Sequence, residues 1–128
     1  MSARTQITTL IKNFLVSEVQ GVQWVDLIQG ALRQKGVSGS IACDNISYRH
    51  DSKDIRTATA TYTIYLIDPE CQDTVDDIAD DIDSILDGND FDGYLSQAEV
   101  TNIAYGAPRG LPSGGAAKIT YIVSYQVE

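Results

Sequence analysis

Basic residues are scarce in this chain of 128. Nine Lys and Arg stand against eighteen Asp and Glu, giving a net charge of −9. Binding nucleic acid by neutralising phosphates needs a basic stripe, so the balance argues against that class of partner. It argues equally against an anionic membrane surface. Histidine occurs once, as His50, and cysteine twice, as Cys43 and Cys71. One histidine and no Cys-x-x-Cys give a zinc site little to stand on. The two cysteines lie far apart and read as free, mostly buried thiols of a reducing cytoplasm rather than as a disulfide. No apolar run is long enough to span a bilayer. The start Met1-Ser2-Ala3-Arg4-Thr5-Gln6 leads into an amphipathic pattern, not the apolar core of a signal peptide. No Ser/His/Asp arrangement is suggested, and His50 with Cys43 is the sole Cys/His candidate pair. A lone histidine beside a charged loop reads as a surface residue. The expectation is a protein that is not an enzyme and carries no cofactor.

The length predicts one domain over 1–128, large enough to bury a real core. Ile7, Leu10, Ile11, Phe14 and Leu15 recur at helical spacing and predict a helix over 5–18. Trp24, Leu27, Ile28, Ala31 and Leu32 repeat the pattern up to a stop at Gly36, which makes 1–36 a helical N-terminal part. Short strands are expected over 39–43 and from Ile46 to Tyr48, with a charged turn over 49–54. Residues 57–67 alternate strictly. Ala58, Ala60, Tyr62, Ile64 and Leu66 point one way, and Thr57, Thr59, Thr61, Thr63 and Tyr65 the other. The threonine face is semi-polar and suits either solvent or a neighbouring subunit.

Asp68 is placed as an N-cap, with Pro69 at the first helical position and Glu70 in the first turn. Cys71, Val75, Ile78, Ala79, Ile82, Ile85 and Leu86 then form one apolar stripe, and Gly88 ends the helix. Strands are expected over 98–105 and 118–127, the last with Ile119, Tyr121, Val123, Tyr125 and Val127 on the core face. The predicted fold class is α+β: a mostly antiparallel sheet with two to three helices packed on one face.

Two features invite a chemical reading. Asp90, Asp92, Gly93, Ser96 and Glu99 match ligand and turn positions of an EF-hand loop, and Asp87 would serve as the first ligand only with one extra residue in the loop. The exit helix is missing, so an acidic turn is the simpler reading, and a calcium-binding interaction module is the alternative. The second feature is the helix itself, where Asp73, Asp76, Asp77, Asp80, Asp81, Asp83 and Asp87 crowd the polar side. Like charges at i,i+4, such as Asp76 with Asp80, cost a few tenths of a kcal/mol per pair. The simple reading is a solvated face; the sharper one is a field aimed at a basic partner, a divalent ion, or a lumen that repels DNA. The loop over 106–115 lacks Gly-Lys-Ser/Thr and enters a strand, so it cradles no phosphate. It is longer than a hairpin needs, and Arg109 and Leu111 in it read as contact residues that order on binding.

The run from the strand Ala58-Thr59-Ala60-Thr61-Tyr62-Thr63-Ile64-Tyr65-Leu66, through the helix 75–86, Leu95-Ser96, the strand 100–105 and the loop 106–115, to Ala117-Lys118-Ile119-Thr120-Tyr121-Ile122-Val123-Ser124-Tyr125, resembles the tail-terminator (tail-completion) proteins of long-tailed, lambda-like bacteriophages. It covers 57–128; sister neck proteins of the virion fit the same pattern, while the helical signal 24–32 departs from it. The resemblance implies a structural virion subunit that closes into a hexameric ring. The ring caps the tail tube, stops its polymerisation and offers a head–tail joining surface to the connector. It implies assembly in the bacterial cytoplasm, a place in the virion tail, and DNA passing through the lumen without specific binding. On this footing Arg109, Gly110, Leu111, Pro112 and Ser113 would dock on the tube protein. Asp76, Asp80, Asp83 and Tyr65 would face a neighbour or the lumen, with Arg33, Lys35, Arg49 and Arg56 as the basic counterpart on the adjacent subunit.

Overall fold

The strict alternation of small and aromatic residues with threonine builds the centre of the molecule. In the computed structural model, which describes residues 2–25, 36–107 and 114–127, that run is the strand β3 (Arg56–Asp68). Around it, in chain order, stand α1 (Ala3–Glu18), β1 (Val22–Trp24), β2 (Val37–His50), α2 (Gln72–Leu86), β4 (Gln97–Gly106) and β5 (Gly115–Val127). The strands form one sheet in the order β1-β2-β3-β5-β4. All pairs are antiparallel except β1 with β2. The closing strand β5 thus returns between β3 and β4, giving a split β-α-β arrangement with α2 as the crossover. This is the expected α+β class.

One face of the sheet holds the core. Ala60 stands opposite Val123, Tyr62 opposite Tyr121 and Ile64 opposite Ile119, all six fully buried. Two tyrosine hydroxyls tie the helices to this face. The Tyr62 hydroxyl lies 2.7 Å from Thr8 Oγ1 of α1. The Tyr121 hydroxyl donates to the Leu86 carbonyl, one of the last carbonyls of α2, a group that has no partner within its own helix. Both helices therefore lie on the same side. From α1 come Ile7, Ile11 and Leu15, and from α2 Val75, Ile78, Ala79, Ile82 and Leu86. Burying each large aliphatic stabilises by about 1.5–3 kcal/mol. That outweighs the few tenths of a kcal/mol that each i,i+4 aspartate pair costs α2.

Several sequence expectations change. Trp24 opens no helix: it closes β1, and its ring covers Gly39, where an added Cβ would lie 2.9 Å from it. An aromatic residue serves a strand well, and this contact across strands overrides helical spacing. The N-terminal part is thus not all helical; the rest of that predicted helix, with Arg33 and Lys35, lies outside the described residues. The two short strands are one strand, β2, carrying a bulge between Cys43 and Asn45. The extra residue, Asp44, breaks the alternation that sequence reading relies on. Asp68 is not an N-cap. It ends β3, is buried, and its carboxylate accepts the Glu70 N–H at 2.9 Å, a local turn that competes with helix entry. Pro69 and Glu70 precede the helix, which begins at Gln72 after Cys71 as N-cap without a side-chain cap. Cys71 therefore leaves the apolar stripe. The start of β5 fits tightly under this turn: a Cβ on Gly115 would lie 2.5 Å from Gln72 Cα.

Candidate functional site

The acidic helix carries a dense run of like charge, seven aspartates from Asp73 to Asp87. Spacings of four and three residues put Asp76, Asp80 and Asp83 on one side of α2, and these three face the exposed Tyr105 of β4. Burial first, then the charges of Asp80, Asp76 and Asp83, raise the Tyr105 hydroxyl above its ordinary pKa. Asp76 accepts from Gln72 Nε2 at 2.7 Å. Asp87, the C-cap, turns to the strand and accepts the Val100 N–H at 3.0 Å, at the bulge between Val100 and Asn102. No residue from 57 to 108 is Lys or Arg, while twelve are Asp or Glu. The flank formed by α2 and β4 therefore carries negative charge with no neutralising partner inside its own segment.

The expected basic counterparts sit at the far side of the sheet. Arg49 ends β2 and pairs with Asp51 at 2.9 Å. The Arg56 guanidinium stacks 4.0 Å from the centre of the Tyr48 ring. The Asp51 carboxylate also accepts from Thr57 Oγ1. These contacts, Thr57 first and Arg49 second, hold Asp51 below its ordinary pKa. Among the described residues no ion pair joins these arginines to the α2 carboxylates. Two sheet strands, β3 and β5, separate β2 from β4, so contact between the two charge groups requires a second molecule.

The threonine face is the second surface. Both described helices lie on the opposite side, leaving rows of hydroxyl residues from β2, β3 and β5 on this one. Part of the face is closed: Thr63 is buried and donates to the Asp44 carboxylate at the bulge. Thr59 Oγ1 lies 3.1 Å from Ser124 Oγ. Other positions stay open, among them Ser47, Gln126 and Lys118. Tyr65 is 38% exposed, with the Lys118 ammonium 6.0 Å from its ring centre. The expectation of a face turned wholly to solvent or a neighbour thus holds for Tyr65 and not for Thr63.

The acidic turn is spent on its own backbone. Asn89 Oδ1 accepts the Phe91 N–H at 2.9 Å and Asp90 Oδ1 the Asp92 N–H at 3.1 Å. Phe91 and Asp92 both adopt positive φ, 51° and 59°, a costly conformation for a bulky residue. Packing offsets the cost, since the Phe91 ring meets Phe14 of α1 edge-on at 4.9 Å. Glu99 lies on β4 and Asp87 at the helix end, so the EF-hand match does not assemble. Among the described residues no three His, Cys, Asp or Glu side chains gather as metal ligands. The turn instead borders an open cleft of about 490 Å³, lined by Leu10, Phe14, Phe91 and Tyr94. Aromatic packing between α1 and this turn escaped sequence reading, because Phe91 sits among acids at no helical or strand spacing.

His50 is exposed and Cys43 half-buried. Burial raises the Cys43 thiol pKa, the opposite of what a nucleophile needs. Both cysteines are free. Of the predicted docking loop, residues 108–113 lie outside the described residues, and with them Arg109, Gly110, Leu111, Pro112 and Ser113. No helix of the described residues is long and apolar enough to cross a membrane. No family model matches the chain, and no curated protein is significantly similar to it.

Proposed function

We propose that the chain is a structural subunit of a phage tail that caps the tail tube as a ring, stops its growth and offers the surface for joining the head. One observation carries the reading beyond the sequence resemblance. The unit from β3 through α2 and β4 to β5 is contiguous, and it has a hydroxyl-rich sheet face, bearing the exposed Tyr65, on the side away from both described helices. Such a face suits contact with other subunits: it is semi-polar, wide and built on rigid strands. The net negative charge suits a lumen through which DNA moves without adhering. Chain assembly takes place in the host cytoplasm and the finished ring stays in the virion, with the tube protein and the connector as its neighbours.

The test is genetic and visual. Inactivating the gene in the genome that encodes it, then inducing particle production, is expected to yield overlong tails without heads in the electron microscope. Virions of normal tail length and normal infectivity from the inactivated genome would remove this function.

A further inference from the structure

β4 and β2, the latter bordered on its outer side only by the short β1, differ in direction, charge and cover. Among the described residues β4 pairs as a strand only with β5, and at Ala98 and Val100 it also meets the Gly88 N–H and the Asp87 carboxylate. Within the described residues β2 is paired on both edges only at Val37, Ser38 and Gly39, where β1 joins it. Two rows of backbone groups, over 40–50 and 101–106, thus stand at opposite sides of one sheet. Unpaired edges of this kind are templates for another strand. The chain of antiparallel pairs from β2 through β3 and β5 to β4 makes β4 run opposite to β2. A second copy set beside the first in the same orientation therefore brings β4 against β2 with the antiparallel alternation unbroken.

Charge selects that arrangement over its rivals. The β4 edge is flanked by Asp76, Asp80, Asp83 and Asp87 of α2. The β2 edge carries Arg49, Lys53 and Arg56 interleaved with Asp44, Asp51 and Asp54, so its charges balance, and Arg49 and Asp51 already engage each other. Pairing β4 with β4 across a two-fold axis would face one carboxylate row with another. Facing like charges costs several kcal/mol, and setting the acidic flank against the flank that holds the arginines avoids that cost. Each edge also presents a half-exposed tyrosine on the helix side of the sheet, Tyr48 at 47% and Tyr105 at 50%, apolar surface that a neighbouring copy would cover. The bulges at Asp44 and Thr101 give both edges extra local twist. A twisted heterologous contact turns each copy relative to the last, and the series closes into a ring when the turn divides a circle.

We propose that copies of this chain associate head to tail by laying the 101–106 stretch of β4 of one copy along the 40–50 stretch of β2 of the next, the acidic flank against the flank that carries Arg49 and Arg56. The inference deepens the ring reading above and names the contact that would close it.

The test uses the full chain in sedimentation velocity from micromolar to millimolar concentration, at low and high salt. The wild type is expected to associate, less at high salt. Asp80→Lys with Asp83→Lys, and separately Arg49→Glu with Arg56→Glu, should each weaken association by at least about tenfold, a loss of about 1.4 kcal/mol. Mixing the two variants in equal amounts should restore it, since each then supplies the flank the other lost; a symmetric contact predicts no such rescue. Circular dichroism checks that each variant is folded, and Asp80→Asn with Asp83→Asn replaces the reversal if it is not. A wild type monomeric throughout, single variants that associate undiminished, or a mixture without rescue each overturn the contact. The outcomes separate from the genetic test. Overlong headless tails with no charge-swap response keep the function and remove this interface; charge-swap rescue with normal tails does the reverse.

Discussion

The two helices share one sheet face and are built on different terms. α1 is locally capped: Ser2 accepts the Thr5 N–H at 3.2 Å. α2 starts from Cys71 without a side-chain cap, and its polar side repeats aspartate at spacings that repel. Yet α2 buries five residues where α1 buries three. A helix that is poor by itself is held by what it packs on. The crowded acids on α2 consequently add little to the stability of the helix that carries them.

The core packing is where the two should prove alike. Ile11→Ala in α1 and Ile82→Ala in α2 both empty sites with no exposure, and each is expected to cost about 2–5 kcal/mol in urea unfolding. A much smaller loss in α2 would mean that its stripe is not the tether described above. The tyrosine anchors come next. Burial raises the Tyr62 hydroxyl to about 12, and Tyr121 is raised further by burial and then by the Asp87 charge. The unfolded value lies near 10. A folded pKa above the unfolded one means that this stability is complete below about pH 10 and is lost as pH rises through about 12. Thermal melts should therefore fall steeply above pH 10, and Tyr62→Phe should flatten part of the fall. The smallest effects separate the helices most sharply. Ser2→Ala should cost about 1 kcal/mol. Asp76→Asn with Asp80→Asn should instead stabilise by a few tenths of a kcal/mol, a gain that salt erases. A destabilised Asp76/Asp80 variant would show that the carboxylates are structural.

Much of the fold is legible because the core is periodic. Ala58 to Leu66 and Ile119 to Tyr125 alternate without a break, and Val75 to Leu86 repeat every three or four residues, so the strands and α2 follow from spacing. Where reading failed, a local device had displaced the period. Asp44 inserts one residue into β2, Asp68 spends its carboxylate on a turn, and Trp24 answers to Gly39 fifteen residues away. For the candidate surface, the acidic stripe and the exposed Tyr65 were readable, and so was the absence of any base from 57 to 108. That Arg49 and Arg56 lie across two strands from the stripe was not, since it depends on strand order.

By itself the sequence determined the α+β class, the core faces of β3, β5 and α2, and a net charge of −9. These depend on interactions within a few residues of one another or on composition alone. Only the tertiary structure decided that β5 enters between β3 and β4, that Tyr62 and Tyr121 tie down different helices, and that the acidic stripe lies across the sheet from Arg49 and Arg56. Pairing between strands distant in the chain is chosen by which surfaces bury best together, and that choice is made by the assembled core.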